Sequence, residues 1–229
     1  MKAFANPSRR RGILSHEPSP TKWRVLRSAK PSTNDLRNGQ AMRMAETSRD
    51  NDAVGVAFIE RAVEFLLGDY QPKIERCLER LTDEQIWWRA NEESNSIGNL
   101  VLHLCGNARQ WIVAGVGSEA DTRVRNDEFA QREVISRAEL LTLLHSTLAD
   151  VESVLRSLDP ATLLSHRLIQ GDDVDVLEAI FHVTEHFSMH TGQIIMLTKM
   201  MIASDLRFYD FESGVPIETW HSDCSALSD

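Results

Sequence analysis

His186 and His190, four residues apart in the run EHFSMHTGQI, lie in a stretch that is otherwise apolar nearly all the way round. Ile180, Val183, Phe187, Ile194, Ile195 and Leu197 recur through it at helical spacing and leave little polar face. A helix of this kind has to be covered by neighbours on most sides, so the chain must build a helical assembly around it. The i, i+4 spacing also sets both imidazoles on one face, about 5–6 Å apart at Cβ. Polar rings held partly inside such a helix need partners. A single divalent ion, bound at roughly 2.0–2.1 Å by each ring nitrogen, supplies both.

Three other stretches carry the helical period. From Val54 to about Leu81, Phe58, Val63, Phe65, Leu66, Ile74 and Leu78 fall mostly at that spacing, and Pro72 bends or interrupts the helix after Tyr70. TDEQIWWRANEESNS reads as a polar loop with two tryptophans. Ser96 then caps a helix running to about Val116, and a charge-rich loop follows. Ser136 and Glu139 form the Ser-x-x-Glu signature of a capping box at the head of the third helix, which ends at Asp159-Pro160. HRLIQGDDVD reads as a short extended piece with a Gly-Asp turn. Asp175 and Glu178 make a second capping box for the last helix, which reaches about Met201. Four long helices with modest loops predict an all-α four-helix bundle, where metal sites are built from side chains on facing helices.

A third imidazole is available on the second helix. His103, in SIGNLVLHLCGNARQWI, can complete a three-histidine set and leave a fourth coordination position for water or substrate. Asn99 and Asn107 stand one turn either side of it and can orient it or line a pocket, as Gln193 can from the last helix. Blander readings stand beside these. His103 is surrounded by Leu100, Val101, Leu102 and Leu104 and fits equally a buried histidine bonded to a carbonyl. A lone i, i+4 pair is more often surface or core structure than a ligand pair. His182 precedes His186 by four residues, so spacing alone accepts His182/His186 as readily as His186/His190. Glu185 reads as solvent-exposed, Glu178 as a cap, and Cys105 as a small core residue facing away from any cluster. His16, His145, His166 and His221 have no partner in sequence.

Charge narrows the function classes. Residues 1–49 hold eleven Lys and Arg against three acids, so the net −9 of the whole chain leaves −17 on residues 50–229. A body that acidic repels nucleic-acid phosphates. No apolar run approaches the length that spans a bilayer, and the N-terminus lacks the apolar core of a secretory signal. Cys77, Cys105 and Cys224 are odd in number and lack CxxC spacing, as expected of reduced thiols in a cytoplasmic protein. Residues 1–50 contain four of the seven prolines, many Ser and Arg and no hydrophobic period. They read as a disordered basic arm, with a transit peptide or a true start at Met42 or Met44 as alternatives. A basic arm binding nucleic acid or anionic lipid is the least favoured. The organisation expected is 1–50 arm, 51–203 bundle and 204–229 C-terminal tail.

SIGNLVLHL followed far downstream by HFSMHTGQI resembles the DinB/YfiT-like superfamily of metal-dependent enzymes, and NEESNS resembles one DinB-related branch of it. The resemblance covers roughly Val54 to Met201. It implies a DinB-like four-helix bundle, a homodimer, and a divalent metal, Zn²⁺ or Ni²⁺, on His103, His186 and His190. The histidine before x-Gly-Gln is His190, which on this resemblance demotes His182. Relatives are thiol-dependent transferases and isomerases, and some hydrolyse. The expectation is therefore a metal-dependent S-transferase acting with a small-molecule thiol. The alternatives are a metal-dependent hydrolase, a non-catalytic metal-binding or stress-response bundle, or a structural helical dimer whose histidines are a relic. No serine sits in a GxSxG elbow and no glycine-rich phosphate loop precedes a helix.

Overall fold

The computed structural model describes residues 51–220. The arm at 1–50, with His16, and the last nine residues, with His221 and Cys224, lie outside the described residues. Helix α1 spans 51–79, α2 is Asp83–Ile86, and α3 is Ile97–Ala108, prolonged as a π-helix over Arg109–Val116. The short α4 (Arg125–Ala130) precedes α5 (Arg137–Ser157). A hairpin of β1 (His166–Ile169) and β2 (Asp172–Asp175) leads into α6 (Val176–Ile202), and β3 (Tyr209–Asp210) pairs with β4 (Ile217–Glu218) beyond it. The four long helices α1, α3, α5 and α6 make the bundle. Both α1 and α3 pack against α5 and α6, which places α1 across the diagonal from α3. Among the described residues no helix is long and apolar enough to cross a membrane.

The caps start the helices where their residue types call for them. Ser96 Oγ accepts from Asn99 N while Asn99 Oδ1 accepts from Ser96 N, and Ser136 and Glu139 form the same reciprocal pair. At α6 the capping box reduces to a one-way cap, in which Asp175 Oδ1 accepts from Glu178 N at 2.7 Å. A further box, Thr82 with Gln85, opens α2 inside the stretch read from sequence as loop. That short helix buries Ile86 and Trp87. The Trp87 ring lies against Gly98, where an added Cβ would come within 2.7 Å, and its Nε1 donates to Ile135 O at 2.9 Å.

Helix α1 departs from a regular period at one place. Glu64–Tyr70 is π-helical, with Gln71 N donating to Leu66 O. The wider turn rotates Phe65 out, so it is 38% exposed and stacks on Tyr70, five residues on, at 5.9 Å. Pro72 follows directly without breaking the helix, because its missing N–H falls where the hydrogen-bond register is already shifting. The bundle core is continuous: Leu66, Ile74, Leu78, Leu104, Ile112, Leu140, Leu144, Leu148 and Phe187 are fully buried.

After α6 the chain folds back on α1. The buried Arg76 donates to Arg207 O at 2.8 Å, to Thr219 Oγ1 at 3.2 Å and to Thr219 O. Trp220 packs under Lys73 and donates from Nε1 to Gly68 O at 3.1 Å. Gly68 O is the carbonyl that an ordinary helix would pair with the N–H Pro72 lacks.

Candidate metal centre

Packing of α3 against α6 brings three imidazoles together. His103 comes from α3 and is buried; His186 and His190 come from one face of α6 and are half-buried. The ring centroids lie 4.8 Å apart for His103–His186, 5.2 Å for His103–His190 and 4.5 Å for His186–His190. One ring nitrogen from each falls within 4.8 Å of the other two. Tetrahedral ligation at about 2.1 Å needs such nitrogens roughly 3.4 Å apart. Closing the difference takes small side-chain rotations.

The protonation of the cluster suits a cation. Burial, together with His190, His103 and His182 around it, holds the His186 imidazole far below its ordinary range, at about 3. Burial also lowers His190, against which the hydrogen bond to Gln193 works in the opposite direction. Nδ1 of His190 lies 2.7 Å from Gln193 Oε1, an oxygen that only accepts, so Nδ1 carries the hydrogen and Nε2 keeps its lone pair. Among the described residues, Nε2 of His186 is buried with no hydrogen-bond partner. A buried, unpaired, neutral nitrogen beside two other imidazoles fits a metal ligand, since an orphaned polar atom otherwise costs about 1–3 kcal/mol.

His182 is placed differently. Its Nε2 lies 3.1 Å from Asn107 Nδ2, which donates to it, and its ring lies 4.0 Å from that of Trp111. Its lone pair is therefore engaged outside the cluster. Asn107 serves His182, not His103, and its own Oδ1 is buried without a partner among the described residues. Asn99 is buried and fully engaged: it caps α3, accepts from Arg89, and donates from Nδ2 to Glu128 O at 2.7 Å. It fastens α4 to α3. Glu185 is exposed, and Cys105 is a buried thiol pushed up to about 12 by burial, outside the cluster.

Glu128 and Arg123 have no counterpart in the sequence reading, which treated their segment as loop. Glu128 Oε2 lies 2.8 Å from Nδ1 of His103. Arg123 forks onto the same carboxylate, Nε to Oε1 at 2.7 Å and Nη2 to Oε2 at 2.9 Å, and reaches Gln110 Oε1 with Nη1. Burial pushes the Glu128 carboxyl up, but hydrogen bonds from His103 and Arg123 and the guanidinium charge outweigh it and hold the group below its ordinary value. Phe129 puts its ring 4.7 Å from that of His103. Room for the carboxylate comes from Gly106, where a Cβ would stand 2.0 Å from Glu128 Oε1. That glycine follows His103 by three residues, on the same helix face, and was the available sequence signal. A cavity of about 620 Å³ lies behind this pair, lined by Cys105, Arg109, Val113 and Asp121 and by none of the three histidines.

Comparison with known proteins places this geometry in context. A family model described as "Protein of unknown function (DUF1572)" matches residues 54–214. No protein of curated function matches the sequence. A conserved protein from Enterococcus faecalis has a similar structure, with TM-score 0.53 and 16% identity over 63% of this chain and 97% of that one. A DinB-like protein from Bacillus cereus gives TM-score 0.48 and 19% identity over 60% of this chain and 90% of its own. At 16% identity the likeness to the Enterococcus faecalis protein is one of fold.

Proposed function

Because the chain belongs to the DUF1572 family, within the DinB-like group, we propose that it is a divalent-metal protein that activates a small thiol for S-transfer. In this reading His103, His186 and His190 hold the ion and leave a coordination position open. The observation that carries the metal is the buried Nε2 of His186, unpartnered and grouped with two other imidazoles. Neutral imidazoles suit Zn²⁺ or Ni²⁺. The thiol rests on the family resemblance.

A bound Zn²⁺ or Ni²⁺ would supply Lewis acidity, lowering the pKa of a thiol or water toward neutrality. The chain's own contribution is to keep the imidazoles neutral and aimed. Burial keeps His186 unprotonated, Gln193 fixes the ring of His190, and Asn107 with Trp111 withdraws His182 from competition. Glu128 is committed to His103 and Arg123, so it is not free to act as a general base. The homodimer implied by the resemblance belongs to the same reading, and sedimentation of the purified protein checks it.

The test uses Co²⁺-substituted protein and a small thiol. Entry of sulfur into the coordination sphere produces a sulfur-to-metal charge-transfer band, which should vanish in His190→Ala. Thiols that leave the spectrum unchanged while metal is present would remove thiol transfer in favour of hydrolysis or plain metal binding.

A further inference from the structure

The three histidines are not held alike. His190 is steadied by a residue of its own helix, and the buried Nε2 of His186 has no hydrogen-bond partner among the described residues. His103 alone is tied to a separate element, through Glu128 on α4. The contact at 2.8 Å has one sensible polarity, because a lone pair on Nδ1 facing a carboxylate would be repelled. Nδ1 therefore carries the hydrogen and donates. Arg123 Nη2 also lies 3.1 Å from Nδ1, but it donates at shorter range, 2.9 Å, to Glu128 Oε2, so the guanidinium serves the carboxylate.

We propose that Glu128 is a positioning residue of the centre: it fixes His103 as the Nδ1–H tautomer, so that Nε2 is the lone pair presented with His186 and His190, and Arg123 in turn fixes Glu128. This rests on the metal-site reading and adds to it a residue that touches no ion. Three features make the arrangement a built one. Glu128 is buried, so its carboxylate does not exchange freely with water. Arg123 grips both carboxylate oxygens, which sets the plane of the group. Gly106 removes the Cβ that would otherwise occupy the carboxylate's place. Asn99 completes the support by holding the backbone of Glu128 to the head of α3. A carboxylate behind a metal-bound imidazole raises its basicity and fixes its ring, and loss of such a partner typically weakens metal binding about 10–100-fold.

The experiment has two arms on the full chain. In the first, ¹⁵N shifts of the metal-free wild type report the tautomer of His103, which a merely structural Glu128 would not determine. The expected result is a protonated Nδ1 in the wild type and a mixture of tautomers in Glu128→Gln. In the second, Zn²⁺ affinity is measured by chelator competition for wild type, Glu128→Gln and Gly106→Ala, with circular dichroism as a check on folding. Both variants should bind about 10–100-fold more weakly, Gly106→Ala because it displaces the carboxylate without altering it. A wild-type His103 protonated on Nε2, or wild-type affinity in both folded variants, overturns the proposal. If the wild type takes up no metal, the metal-site reading fails, and the tautomer arm still decides what Glu128 does. If both variants fail to fold, the wild-type tautomer decides alone.

Discussion

Asn107 Nδ2 stands 3.1 Å from Nε2 of His182, and this contact separates four histidines into one and three. Packed against Trp111 and bonded from α3, His182 has its Nε2 engaged by Asn107. His103→Ala, His186→Ala and His190→Ala should each strongly reduce zinc bound per chain, whereas His182→Ala should leave it near the wild-type value. Elemental analysis of the purified proteins checks this. Stoichiometric metal in any of the first three would remove that residue from the ligand set.

Acid should destabilise the metal-free protein through these same rings. In the unfolded chain each histidine takes a proton near pH 6.5. In the fold, burial holds His186 at about 3 and lowers His182 and His190 as well. The unfolded state then binds more protons below pH 6.5, so stability rises with pH there. The contribution is complete above about 6.5 and is lost progressively as pH falls toward 3. Urea midpoints of metal-stripped protein should drop between pH 7 and pH 4.5, and drop less in His186→Gln. Equal pH slopes for the two proteins would contradict the shift assigned to His186.

Arg76 joins α1 to the segment beyond α6. Arg76→Ala removes the guanidinium donor from Arg207 O and Thr219 O and leaves a buried gap, at a cost of about 1–3 kcal/mol. Chemical denaturation should show that loss, and proteolysis should cut first after Ala203. Metal content should be unchanged, because the clasp touches none of the three imidazoles.

A chain beginning at Met42 should remain helical and bind as much metal as the full chain. Its net charge becomes more negative as the basic residues are removed. Aggregation or loss of metal in that shortened protein would show that residues 1–41 take part in the fold.

Much of the scaffold was legible because its signals are local. Ser96, Ser136 and Asp175 mark helix starts with side chains that bond a backbone N–H three residues on. Spacing left His182 and His190 both open as partners of His186; the resemblance favoured His190, and the contact of His182 with Asn107 from another helix could not be read from sequence. Glu128 escaped because its helix is six residues long and too short to show a period, and its partner lies 25 residues away. The π-helical turn at Glu64–Tyr70 left no mark on the hydrophobic pattern beyond Phe65, an apolar residue at the expected spacing that the wider turn carries outward.

The bond from Trp220 to Gly68 spans 152 residues, and this gives it a place in time. At roughly 5–20 residues per second, a ribosome makes Trp220 about 8–30 s after Gly68. For that interval Gly68 O lacks its Trp220 donor, while the four long helices can already assemble. The Arg76 contacts to Thr219, 143 residues on, wait almost as long. Closure of this contact is thus a late event in the birth of the molecule, and a chain stalled before Trp220 already holds the three histidines while Gly68 O still waits for its distant donor.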